Sequence, residues 1–187
     1  NQGESCNAPS RLFVEESIKE RSLEKALAMV PAYQPGDPLD ENTVMGAIVD
    51  ATQLKTVMGY IEAGSAGGAR LLAGGKQVRT ESGGYYVEPT LFDQVDSSMT
   101  IAREEIFGPV LSVLSFTDVK EAVRQANATP YGLHAAVWTS DLSKAIQTSR
   151  ALRAGTVHVN QYDGDDITVP FGGYKQSGNG RDKSLHA

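Results

Sequence analysis

The chain has 187 residues, 40% of them hydrophobic and 21% charged, with a formal net charge of −6. That size and balance suit one soluble globular domain able to bury a core of its own. The acidic sign disfavours a binder of nucleic acid or of an anionic membrane surface, and no apolar run approaches the ~18 residues of a membrane span. A single cysteine, Cys6, excludes an internal disulfide framework and fits a reducing compartment such as the cytoplasm. The first residue is Asn1, and neither an initiator Met nor a basic-then-apolar leader opens the chain. The 187 residues are therefore expected to be one domain, truncated at both ends, of a longer polypeptide.

Strand and helix signals alternate along the chain. Arg11-Leu12-Phe13-Val14 reads as a short strand, followed by a helix over 16–30 with Ile18, Leu23, Ala26, Leu27 and Val30 on its apolar face. Gln34-Pro35-Gly36-Asp37-Pro38 breaks the chain. Asp50 is placed to cap a second helix, whose buried stripe is Leu54, Val57, Met58 and Ile61 and which fades at Gly64-Ser65-Ala66-Gly67-Gly68. A glycine-rich stretch of hairpin character runs on to Tyr85-Tyr86-Val87. Val110-Leu111-Ser112-Val113-Leu114 has the near-continuous apolar pattern of a strand covered on both faces. Asp118 caps a helix that Thr129-Pro130-Tyr131-Gly132 ends, Ala135-Ala136-Val137-Trp138 is a strand, and Asp141 opens a further helix. Gly155-Thr156-Val157-His158-Val159-Asn160 is the last strand. Strand, helix, strand, helix, strand at this spacing predicts right-handed crossovers and a mostly parallel sheet in a three-layer α/β domain, with no linker dividing it.

The chemistry-bearing residues are sparse. Cys6 lies in Asn1-Gln2-Gly3-Glu4-Ser5-Cys6, a polar, turn-prone approach rather than the apolar run that surrounds a buried thiol. A thiol there is available as a nucleophile. Gly-x-Gly-x-x-Gly after a strand is absent, and Gly172-Gly173-Tyr174-Lys175-Gln176-Ser177 is only superficially like a phosphate-binding loop. His134, His158 and His186 are too scattered for a metal set, and His158 alternates with Val157 and Val159 as a structural strand residue does. Arg103-Glu104-Glu105-Ile106-Phe107-Gly108-Pro109 puts two carboxylates and an aromatic just before the buried strand. It reads either as a solvated charge pair with a packing Phe or as a strand-end loop whose carboxylates accept hydrogen bonds from a sugar diol. Asp163, Asp165 and Asp166 repel one another, so that cluster is expected to be solvated or to face a cation.

Three segments, in this order and at this spacing, resemble the signatures of the NAD(P)-dependent aldehyde dehydrogenase superfamily. They are Asn1-Gln2-Gly3-Glu4-Ser5-Cys6, Glu104-Glu105-Ile106-Phe107-Gly108-Pro109-Val110, and Pro170-Phe171-Gly172-Gly173-Tyr174-Lys175-Gln176-Ser177-Gly178. The similarity runs over residues 1–187 and corresponds to the family's nucleophile-bearing catalytic domain. Thr168-Val169-Pro170-Phe171 and the run from Ser177-Gly178-Asn179-Gly180-Arg181 to Ser184 are most similar to bacterial enzymes of polyamine and putrescine breakdown. Those oxidise γ-glutamyl-γ-aminobutyraldehyde, guanidinobutyraldehyde and related ω-amino aldehydes.

The resemblance implies that Cys6 is the nucleophile that adds to the aldehyde carbon, its backbone N–H forming part of an oxyanion hole. It implies that Glu105 holds the nicotinamide-side ribose of NAD (or NADP), that Phe107 touches the cofactor near that ring, and that Gln53 makes a weaker ribose contact. Asn160, Asp165 and Phe171 fall at positions near the substrate tunnel, Phe171 as one of its walls. Asp165 stands where aromatic-preferring relatives carry an aromatic, a departure that fits a cationic aldehyde. The family's general base, second oxyanion donor and dinucleotide-binding domain precede the nucleophile, and its inter-subunit strand follows the catalytic domain. The isolated chain is therefore expected not to complete turnover, although full-length relatives are homo-oligomeric enzymes. The alternative is a non-catalytic binding or interaction module built on the same α/β domain, with a cysteine hydrolase third.

Overall fold

The computed structural model describes residues 1–162, 164 and 166–187. The chain forms two compact units, Asn1–Thr117 and Asp118–Ala187, a division that no linker in the sequence announces.

In the first unit, strand β1 (Arg11–Glu15) leads through a 3-10 turn, Glu16–Ile18, into helix α1 (Lys19–Met29). The turn ends the expected helix early on its N-terminal side and shifts its phase. Ile18, expected on the buried stripe, is instead 41% exposed, while Lys19 is 9% exposed. Lys19 tolerates that burial because its Nζ lies 2.9 Å from Oδ1 of Asp93, an ion pair by distance that is poorly aligned as a hydrogen bond. At the other end, Pro31 lies in a 3-10 turn, Val30–Tyr33, which terminates the α-helix.

Helix α2 (Ala51–Ala66) starts at Asp50, whose carboxylate accepts the Gln53 N–H at 2.8 Å. Then come β2 (Arg70–Ala73), the small hairpin β3 (Gln77–Val78) and β4 (Tyr86–Val87), β5 (Thr90–Asp93), the single-turn helix α3 (Thr100–Arg103) and β6 (Val110–Phe116). The main sheet has the order β1-β6-β5-β2, with β6 parallel to both neighbours and β2 antiparallel at one edge.

The alternation of β6 divides the core. Val110 and Leu114 join Val57 and Ile61 of α2, Ile101 of α3, Phe92 and Ile106 on one face. Val113 joins Val14, Leu91 and Leu23 of α1 on the other. A strand covered on both sides must be apolar at odd and even positions alike, as its sequence suggested. Both edges of β6 are occupied, by β1 and β5, so the strands that follow it in sequence do not pair with it directly.

Those strands pair with each other. In the second unit α4 (Val119–Asn127) is capped by Asp118, which accepts the Lys120 N–H, and α5 (Leu142–Ala151) by Asp141, which accepts the Lys144 N–H, each at 3.0 Å. Strands β7 (His134–Val137) and β8 (Thr156–Val159) run parallel, from His134↔Thr156 to Val137↔Val159. The expected run of β6, β7 and β8 in one sheet is thus corrected: among the described residues β7 and β8 form a two-stranded sheet separate from the one that contains β6.

The glycine-rich segment 170–178 is pinned. Tyr174 and Gln176 N–H groups donate to the carbonyls of Gly132 and Pro130, Gly132 N–H donates to the Ser177 hydroxyl, and Lys175 Nζ donates to the carbonyls of Asn127 and Thr129 at the end of α4. Gly155 must lack a side chain, because a Cβ there would collide with the Gly172 carbonyl oxygen.

Candidate active site

Cys6 is exposed and lies inside the second of two tight turns, in the first of which Glu4 N–H donates to the Asn1 carbonyl and in the second Ala8 N–H to the Ser5 carbonyl. Among the described residues no hydrogen bond ends on the Cys6 N–H. The Glu4 carboxylate anchors the approach by accepting the Val49 N–H at 3.1 and 3.2 Å and the Gln2 amide at 2.6 Å. Gly3 has φ +80°, and a Cβ there would strike the Gly108 carbonyl. Only glycine meets both demands, the left-handed backbone and the close approach. The segment bearing Cys6 is therefore packed directly on the loop bearing Glu105 and Phe107.

That loop is held from α2. Gln53 Nε2 donates to the carbonyls of Ile106 at 3.1 Å and Phe107 at 2.7 Å. Ile106 is buried, whereas Glu105 and Phe107 flank it outward, Phe107 at φ 55° and 37% exposed. The two adjacent acids differ in their surroundings. Tyr60 of α2 donates its hydroxyl to Glu104 at 2.8 Å, while the Glu105 carboxylate has no hydrogen bond or ion pair among the described residues. A solvated, unpaired carboxylate beside an exposed ring suits a diol and a flat heteroaromatic ring, so these residues fit a nicotinamide ribose. Cys6, Gln53, Glu105 and Phe107 all lie in the first unit.

The residues expected near the substrate tunnel, Asn160, Asp165 and Phe171, belong to the second unit. Asn160, at φ 55°, directs both ends of its amide at the backbone of Thr139: Nδ2 donates to the carbonyl and Oδ1 accepts the N–H, each at 2.9 Å. It carries the β7–β8 pairing one step beyond the strands. Phe171 pairs with Asp182 through N–H to carbonyl bonds of 2.8 and 2.7 Å, and its ring lies 5.3 Å from Lys183 Nζ. Asp166 accepts the Thr168 N–H at 2.9 Å and hydroxyl at 2.8 Å, which holds its carboxyl below the ordinary value. Asp163 and Asp165 lie outside the described residues.

Sequence reasoning missed several supports. Gly3, Gly108 and Tyr60 act through space, and a local pattern carries no sign of them. The ring cluster of His134, His158, Tyr162 and Trp138 was hinted at only by the strand-like alternation at His158. No group of three or more metal-ligating side chains occurs among the described residues, and no described helix is long and apolar enough to cross a membrane.

The whole chain is similar to known proteins. The NADP/NAD-dependent aldehyde dehydrogenase PuuC of Escherichia coli K12 is 49% identical over all 187 residues, which span 37% of its length. Among solved structures, the indole-3-acetaldehyde dehydrogenase AldA of P. syringae, determined with NAD+, is 63% identical with a TM-score of 0.97 over 100% of this chain and 38% of its own. The γ-glutamyl-γ-aminobutyraldehyde dehydrogenase of Burkholderia cenocepacia is 62% identical with a TM-score of 0.96 over 99% of this chain and 37% of its own. The aldehyde dehydrogenase family model matches residues 1–187, and the chain belongs to that family.

Proposed function

We propose that this chain is the nucleophile-bearing part of an NAD(P)-dependent aldehyde dehydrogenase that oxidises an ω-amino or γ-glutamylamino aldehyde to its acid. The observation that carries the proposal is the seating of the exposed Cys6 segment on the loop that presents Glu105 and Phe107, through the contact of Gly3 with Gly108. The Cys6 thiolate adds to the aldehyde carbon, the carbonyl oxygen becomes an oxyanion, and the unengaged Cys6 N–H is a donor for it. When bound, the dinucleotide supplies the acceptor for the hydride that this carbon loses. The carbon stays on Sγ as a thioester until water cleaves it, releasing the acid and restoring the thiol. Glu105 holds the ribose hydroxyls, Phe107 lies against the cofactor, and Gln53 keeps both in place by bracing their loop. Phe171 forms a wall on the aldehyde side, and Asn160 stands near the same tunnel. The acids at 163, 165 and 166 favour a cationic head group.

The relatives are longer than this chain, which spans 37% of PuuC, so the activity is proposed for the polypeptide that contains it. The 187 residues alone are expected to keep a reactive thiol without completing turnover. The test is NADH production from γ-aminobutyraldehyde and NAD by the full-length polypeptide. Cys6→Ala is expected to lower it by roughly 10³-fold or more, as removal of a covalent nucleophile does. Activity retained in that variant sinks the reading. Asp165→Asn is expected to raise the KM of γ-aminobutyraldehyde more than that of propanal, and equal changes remove the steering role.

A further inference from the structure

In the turn Asn1–Glu4 both central residues are left-handed, Gln2 at φ 45° and Gly3 at φ 80°. Glycine adopts that backbone freely, whereas Gln2 adopts it against the crowding of its own Cβ. The Gln2 amide donates to the Glu4 carboxylate at 2.6 Å, so side chains as well as backbone hold the turn. The same carboxylate receives the Val49 N–H between its two oxygens, at 3.1 and 3.2 Å. That N–H has no other acceptor among the described residues. The Val49 side chain is exposed, but the backbone on each side of it is fixed. Ile48 is buried and donates its N–H to the Tyr85 carbonyl at 2.8 Å, and Asp50 caps α2.

The start of α2 holds the cofactor loop too. Gln53, in the first turn, donates to the carbonyls of Ile106 and Phe107. Val57, in the second turn and wholly buried, packs so closely on Gly108 that a Cβ there would strike its methyl groups. Residues 49–57 are therefore a common frame for two segments, with Glu4 fastening the one that carries Cys6 and Gln53 the one that carries Glu105 and Phe107. The close approach of Gly3 to the Gly108 carbonyl limits how near the two segments come, but it does not hold them together. The bonds of Glu4 do, and as bonds to a charged acceptor they are of the stronger kind.

We propose that Glu4 is a positioning residue that fixes the spacing between Cys6 Sγ and the loop of Glu105 and Phe107, and through it the rate of hydride transfer. In that step the carbon on Sγ loses a hydride, one proton with two electrons, to the dinucleotide and is oxidised to the thioester. Glu4 acts through the two residues that join it to Cys6, and a misplacement of about 1 Å is enough to slow such a step by as much as ~100-fold. The consequence for rate rests on the functional reading above, while the anchor of Glu4 on Val49 stands on the geometry alone.

Two variants of the full-length polypeptide test this, Glu4→Ala and Glu4→Gln. The glutamine keeps an oxygen for the Val49 N–H, and Gln2 can turn its own amide oxygen toward the new NH2 group. The first measurement is amide hydrogen exchange. The Val49 amide is expected to exchange about tenfold faster in Glu4→Ala and within about threefold of wild type in Glu4→Gln, with the Gln53 and Val113 amides unchanged. An unchanged Val49 amide overturns the anchor, and so does an equal rise at Gln53 or Val113, which would mean that α2 or the whole protein had loosened. The second measurement is oxidation of γ-aminobutyraldehyde by NAD, with the aldehyde carbon bearing hydrogen or deuterium. In Glu4→Ala kcat is expected to fall about tenfold, with both KM values within about twofold and a deuterium effect on kcat at least as large as in wild type; Glu4→Gln stays within about threefold of wild type. The third is alkylation of Cys6 by iodoacetamide without NAD, which needs the thiolate and no hydride transfer, and its rate is expected to vary less than about twofold among the three proteins. An unchanged kcat, a fall with loss of the deuterium effect, an equal fall in alkylation, or a Glu4→Gln as slow as Glu4→Ala each overturns the role in hydride transfer. A wild-type protein with no aldehyde oxidation sinks the functional reading and that role with it, and the Val49 amide still decides the anchor.

Discussion

Glu104 and Glu105 are neighbours in sequence with opposite circumstances. The Tyr60 hydroxyl occupies Glu104, and Glu105 faces solvent with its acceptors open. If Glu105 holds the ribose diol, neutralising it removes charge-assisted hydrogen bonds, each worth about 1.5–3 kcal/mol. Glu105→Gln in the full-length polypeptide is therefore expected to raise the KM for NAD by at least about tenfold, with the aldehyde KM nearly unchanged. Glu104→Gln keeps an acceptor for Tyr60 and is expected to change the NAD KM less than about twofold. Steady-state kinetics of both variants decides the matter, and a larger effect at Glu104 reverses the assignment. Gln53 acts differently from Glu105. Its donors serve the carbonyls of Ile106 and Phe107, so any ribose contact falls to its oxygen, and its main effect on a cofactor passes through the loop.

Among elements, the ion triad that ties α1 to the sheet is the feature with the clearest energetic consequence. Asp93, at the end of β5, is 1% exposed and meets both Lys19 of α1 and Arg70 of β2. Breaking a buried pair from one side leaves a charge without compensation, at a cost of about 3–5 kcal/mol. Asp93→Asn is accordingly expected to lower the unfolding free energy by about 3 kcal/mol, because Lys19 stays buried. Arg70 is half exposed, and Arg70→Ala is expected to cost less than about 1 kcal/mol. Urea unfolding of the two variants checks the order, and equal losses would show that Arg70 rather than Lys19 is the partner that matters. Asp93 also shows where sequence stops being informative. The helix starts at Asp50, Asp118 and Asp141 are legible because a cap is a local pattern, and the stripe of α2 because its period is local too. Strand β5 is four residues long, all buried, between a proline and a turn, so it offers no alternation to read. Lys19 reads as a surface charge until its distant partner is known.

For the molecule as a whole, the family was legible in the three signature segments, but the close approach that packs the first on the second, and the one that seats the third against the start of β8, were not. Gly3 on Gly108 and Gly155 on Gly172 are long-range close approaches, and in sequence each is only a glycine. The division into two units was equally hidden, because it goes with which strands pair with which, a long-range property. That division predicts unequal stability. Both apolar clusters, with Phe92, Val57, Ile101 and Val113 almost wholly buried, belong to Asn1–Thr117. In Asp118–Ala187 the buried hydrophobic side chains among the described residues are those of Ala122 and Ala145, while Trp138, Leu142 and Ile146 are 58%, 74% and 43% exposed. Fully burying a large apolar side chain contributes about 1.5–3 kcal/mol, and a unit without such residues opens at lower free energy than one rich in them. Amides of β7 and β8 are therefore expected to exchange faster than those of β5 and β6, and limited proteolysis to cut first within 118–187. Trp138 is the single tryptophan and lies in the weaker unit, so its emission reports that unit alone. In a urea titration its transition is expected at lower concentration than the loss of far-ultraviolet circular dichroism. Coincident transitions with equal amide protection in both sheets would mean that the units open together, and that the sparse core of the second unit is stabilised by something other than its own side chains.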